Sequence, residues 1–82
     1  MKVYQMERDE DVTGLSGTGV VADVVEFDDG TVVMRWRGPY KSTVVFENLA
    51  TAITVHGHGG RTRFVPVLEL TPAGPRELAD YL

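Results

Sequence analysis

The chain has 82 residues, twelve acidic against eight basic side chains for a formal charge of −4, and no cysteine. A single domain of this length buries only about 60–65 % of the surface its unfolded form exposes, and neither disulfides nor a thiolate zinc site can supplement its core. The acidic balance repels phosphate backbones at long range and disfavours generic nucleic-acid binding.

The N-terminus, MKVYQMERDED, becomes charged within seven residues. It offers no apolar run for a signal peptide or a membrane span, so a soluble cytoplasmic protein is expected. Val3 to Arg8 alternates, with Val3, Gln5 and Glu7 on one side and Tyr4, Met6 and Arg8 on the other, which predicts a first strand at a sheet edge. Glu7 to Asp11 reads as a solvated loop, and Thr13 to Gly17 as a turn.

Gly19 to Phe27 and Thr31 to Arg37 flank Asp28-Asp29-Gly30, a short-range hairpin signal. A two-residue loop would set Phe27 opposite Val32 and Asp23 opposite Trp36. A three-residue loop, with Gly30 at a left-handed bulge position, sets Ala22 opposite Trp36, Val24 opposite Met34 and Asp23 opposite Arg35, where opposite charges attract. The second register is the one predicted. Val20, Ala22, Val24, Val32, Met34 and Trp36 then share one face, and Val21, Val25, Phe27 and Val33 the other. Two partly apolar faces both need cover, which points to a sheet curled into a barrel with a helix or another subunit on its outside.

Gly38-Pro39-Tyr40-Lys41 breaks the pattern, and Ser42 to Phe46 is the next strand. Asn48 is a good N-cap, and Leu49, Ala52, Ile53 and His56 fall on one helical stripe that Gly57 can end, so a helix is predicted over 49–56. The β-branched Thr51, Ile53, Thr54 and Val55 support a competing strand. Gly57 to Gly60 is a loop. Thr62 to Leu70 is a last strand in which Pro66 calls for an edge or a bulge. After a hinge at Thr71 to Gly74, Pro75 opens a terminal helix carrying Leu78, Tyr81 and Leu82 on one face. The expected architecture is α+β: a strongly bent antiparallel sheet of about five strands, close to an SH3-like, partly open barrel, with one inserted helix and one C-terminal helix. Residues 1–71 form the barrel-like unit and 72–82 the hinge and helix.

The motifs Gly14-Leu15-Ser16-Gly17-Thr18-Gly19-Val20-Val21-Ala22, Phe27-Asp28-Asp29-Gly30-Thr31, Arg35-Trp36, Ser42-Thr43 and His56-Gly57-His58-Gly59-Gly60-Arg61-Thr62-Arg63 resemble a family of short uncharacterised proteins from actinobacteria and their phages. The likeness runs from Gly14 to about Val65. It implies a phage or phage-derived protein and, since small phage proteins of this kind commonly bind host proteins, a protein partner.

His56 and His58, two imidazoles two residues apart, could begin a metal site, but zinc takes three or four ligands and Asp23, Glu47 and Glu69 supply no evident third. The stronger reading seats His56 at the negative end of the helix dipole and bonds His58 to backbone in a glycine loop. Gly57, Gly59, Gly60 and Arg61 have anion-binding composition, yet they follow a helix and precede a strand, the reverse of a phosphate loop. Trp36 between Arg35 and Arg37 is either a stacking platform or, more in keeping with Val32 and Met34 on its side, a core residue. No spacing marks a nucleophile beside its base. The expectation is a non-enzymatic binding module without cofactor, homo-oligomeric or docking on a host protein through Leu78, Tyr81, Leu82, Phe27 and Val33. The alternative is a nucleic-acid-associated barrel using Arg35, Arg37, Lys41, Arg61 and Arg63.

Overall fold

A computed structural model of the chain describes residues 1–8, 19–57 and 61–78. These form β1 (Lys2–Arg8), β2 (Gly19–Glu26), β3 (Val32–Trp36), β4 (Thr43–Phe46), α1 (Leu49–His56), β5 (Thr62–Thr71) and β6 (Gly74–Glu77). The strands make one open antiparallel sheet in the order β4-β3-β2-β1-β5-β6.

The hairpin takes the three-residue loop. Ala22 faces Trp36, Asp23 faces Arg35 and Val24 faces Met34. The Phe27 N–H donates to the Thr31 carbonyl at 2.8 Å, and the Gly30 N–H to the Phe27 carbonyl at 2.9 Å. Gly30 has φ +95°, a conformation open to glycine at little cost. Asp29 Oδ1 accepts the Thr31 N–H at 2.8 Å, and these bonds hold its carboxyl below the usual range.

The helix also forms where its caps place it. Asn48 is extended, and its side-chain oxygen accepts the Thr51 N–H at 2.8 Å, satisfying one of the four donors a helix start leaves open. Gly57 closes the helix by donating to the Ile53 carbonyl at 2.7 Å, in right-handed rather than left-handed conformation. Glycine is needed there for room: a Cβ would lie 2.5 Å from the Ile53 oxygen. Ala52 is buried and Leu49 packs on the core, whereas Ile53, expected on the same stripe, is exposed.

Among the described residues the predicted barrel and terminal helix are not formed. A barrel requires the two ends of the sheet to pair, and here β4 and β6 remain edges of an open, six-stranded sheet. The second helix is replaced at its start by β6. Pro75 pairs with Leu70 and Arg76 with Glu69 across a turn at Pro72-Ala73. Proline without an N–H suits the first turn of a helix, but it suits an edge strand equally well, and β6 is an edge. β1, expected at an edge, lies inside the sheet between β2 and β5. The turn at 13–17, residues 58–60 of the glycine loop and the tail at 79–82 lie outside the described residues.

Two bulges decide which side chains are inside. In the β1–β2 ladder Met6 pairs with Ala22 and Glu7 with Val20, so Val21 is the extra residue, and it is buried although simple alternation puts it on the outer face. In the β1–β5 ladder Val3 pairs with Leu68 and Tyr4 with Pro66, so the bulge expected at Pro66 is present. The core, Tyr4, Met6, Val21, Ala22, Val24, Val32, Met34 and Ala52, lies between the sheet and α1, with Trp36, Phe46, Leu49 and Phe64 packed against it.

Tyr4 reaches from this core to donate its hydroxyl to Glu26 Oε1 at 2.8 Å. Burial first, then the bond and charge of Glu26, push its hydroxyl up to about 12. The folded state therefore favours the protonated phenol. Its stabilising contribution is complete below pH of about 10, the unfolded value, and is lost as pH rises from there to about 12. Urea titrations across this range should show wild type losing stability more steeply than Tyr4→Phe; parallel curves would remove Tyr4 from the alkaline transition.

Candidate docking face

The sheet face turned away from α1 has a regular construction. Directly paired residues share a face, so the ladder positions Leu68, Val3, Val25, Val33 and Val45 form one apolar row across β5, β1, β2, β3 and β4. The first four are half-buried, and Val45 is 64 % exposed. No described element lies over this row.

The adjacent row runs Val65, Gln5, Asp23, Arg35, Thr43 and is polar apart from Val65. Asp23 does not pair with Arg35 opposite it. It accepts two bonds from Arg37, from Nε at 3.1 Å and Nη2 at 2.8 Å, because a guanidinium fork matches a carboxylate best when both oxygens are reached. Asp23 accordingly raises the already high pKa of Arg37. Arg35 instead donates to Thr43 Oγ1 at 3.1 Å on β4. Arg63 lies 3.8 Å from Glu7. The face thus has an apolar stripe bordered on one side by charges of both signs.

The residues singled out for partner binding are dispersed. Val33 sits in the middle of the apolar row, and Phe27 is exposed at the turn end of the β2–β3 hairpin. Leu78 follows β6, half-buried, its N–H donating to the Val67 carbonyl at 3.3 Å. Tyr81 and Leu82 lie outside the described residues. Val3, Val45 and Leu68 complete the row that Val33 belongs to; the alternation of Val3 to Arg8 signals Val3, whereas Val45 and Leu68 are placed by strand pairing.

The basic residues do not gather. β3, which carries Arg35, and β5, which carries Arg63, are separated by β2 and β1, a spacing of roughly 14 Å at the usual strand separation. Asp23 and Glu7 stand beside Arg37 and Arg63. Lys41 lies in the β3–β4 connection and Arg61 just before β5, both exposed.

His56 lies in the last turn of α1 with its ring edge-to-face against Trp36 at 5.3 Å and Phe46 at 5.7 Å. Trp36 packs against the core, and on it also rests the guanidinium of Arg8, 5.6 Å from the ring centroid. Among the described residues no three His, Asp or Glu side chains cluster as a metal site, and His58 is not among them. A shallow cleft of about 230 Å³ lies at Met1, Lys2, Glu26, Phe27, Asp28, Gly30 and Glu69. Among the described residues no helix is long and apolar enough to cross a membrane.

Fold and face define a small sheet-and-helix domain in which, among the described residues, α1 packs on one side of the sheet and no element covers the other. The chain belongs to the Acb5 phage protein family, which it matches over residues 1–67. The match takes in β1, which the motif resemblance left out. No curated protein and no solved structure matches the chain.

Proposed function

We propose that this phage-family protein is a non-enzymatic binding module that docks on a protein through the uncovered face of its sheet. The observation that supports the reading is the apolar row from Leu68 to Val45, continuous over five strands and bordered on one side by polar pairs, the pattern of a protein-contact surface rather than of a solvated sheet. A host protein in the cytoplasm is the partner this reading expects.

Val33→Asp tests it by placing a charge in the middle of the row. Tagged wild type and variant are compared in pull-downs from nuclease-treated host lysate, with circular dichroism to confirm the fold. The variant should lose the enriched host protein by at least tenfold, about 1.4 kcal/mol of binding. Undiminished capture by a folded Val33→Asp protein would remove the face from the proposal.

A further inference from the structure

The two edges of the sheet differ. β6 is blunted: it contains Pro75, which has no N–H to offer, and the charged Arg76 and Glu77. Such features keep an edge from pairing with other chains. β4, Thr43-Val44-Val45-Phe46, is equally short but has neither proline nor charge. The Trp36 N–H donates to the Ser42 carbonyl at 3.0 Å, and by antiparallel alternation Val44 and Phe46 also bond inward to β3. The backbone groups of Thr43 and Val45 therefore point out of the sheet, beside an exposed Val45 side chain, with no partner among the described residues.

We infer that β4 pairs antiparallel with β4 of a second copy of this chain, about a two-fold axis at Val45, joining two sheets into one of twelve strands. The charges flanking the strand select this occupant. Lys41 precedes it and Glu47 follows it, both exposed and both continuing the alternation of Thr43 and Val45. With Val45 opposite its own copy, Thr43 meets Glu47 of the partner subunit. Lys41 then lies diagonal to that same Glu47 of the partner subunit, about 7–8 Å away by Cα and within reach of a lysine. The two-fold axis makes this attraction twice, whereas a parallel arrangement would set like charges side by side. The dimer leaves the uncovered faces free and joins their apolar rows through the two Val45 residues. It stands on the edge alone and is independent of what the face binds.

The test is the mass of the purified protein by analytical ultracentrifugation, at concentrations up to about 100 µM, where weak pairing is populated. Wild type should reach twice the monomer mass. Val45→Pro removes an outward N–H without touching the β3 ladder, and it should be monomeric with unchanged circular dichroism. Lys41→Glu and Glu47→Lys should each weaken dimerisation several-fold, and the double variant should restore it. These surface changes keep the test decisive if the proline variant fails to fold. A monomer at every concentration, a folded Val45→Pro dimer, or a double variant no better than the singles would each overturn the inference.

Discussion

Met34→Ala should lower the melting temperature by roughly 10–30 °C, while Val33→Ala, one residue away, should lower it by only a few degrees. Met34 is fully buried and lies opposite Val24 on one side and Val44 on the other, within the core beneath α1. Truncating such a methionine removes its transfer free energy and leaves a cavity, a cost of about 2–5 kcal/mol. An 82-residue domain has a total stability of about 4–12 kcal/mol, so this one change takes a large share of it. Val33 points to the opposite, uncovered face and is already half in water, so its truncation costs about 1 kcal/mol or less. Paired thermal melts measure the difference. Equal losses at the two positions would mean that the uncovered face is in fact buried, and the docking proposal would go with it.

The contrast between these neighbours shows which parts of the fold could be read from the sequence. The β2–β3 register was legible because its determinants are local: the loop Asp28-Asp29-Gly30 has a length and a glycine that admit few closures, and the Asp29 side chain bonds within it. The helix from Leu49 to His56 was legible for the same reason, with Asn48 and Gly57 marking its ends despite its β-branched interior. The uncovered row was only half legible. Alternation gives Val33 and Val25 one face, but joining them to Val3 and Leu68 depends on the β1–β5 pairing across more than sixty residues and on a bulge beside Pro66. Pro66 marks the bulge locally, but nothing local marks the long-range pairing. The barrel expectation fails on a related point: two apolar faces do not require the sheet to close, since α1 packs on one of them and, among the described residues, β4 and β6 remain unjoined edges. The C-terminal error is one of shared signals. Gly74-Pro75 fits a helix start and also a hairpin turn entering an edge strand, and the partner that decides, β5, is a neighbour in space as well as in sequence.

Arg8 is the residue whose burial has the largest unread consequence, and Arg8→Ala should lower stability by about 2–4 kcal/mol, a loss more typical of a core leucine than of a charged side chain. It is 2 % exposed, the largest of the fully buried side chains. Alternation places it with Tyr4 and Met6, yet an arginine in an acidic run reads as solvated, and nothing local contradicts that. In the fold its Nε donates to Thr62 Oγ1 at 3.2 Å, linking the end of β1 to the start of β5, while its guanidinium rests on Trp36. Trp36 in turn meets His56, so the arginine supports the end of α1 through the indole. Alanine removes the stem packing, the bond to Thr62 and the cation–π contact, which alone contributes about 0.5–2 kcal/mol. Lysine keeps charge and most of the stem but not the planar guanidinium, so Arg8→Lys should fall between wild type and alanine. Trp36 is the chain's single tryptophan, and its emission should shift to the red in Arg8→Ala as water reaches the ring. Chemical denaturation followed by that emission measures both effects at once. If Arg8→Lys equals wild type, the stem carries the stability and the stacked guanidinium adds nothing; if Arg8→Ala equals wild type, the sheet and α1 hold together without it.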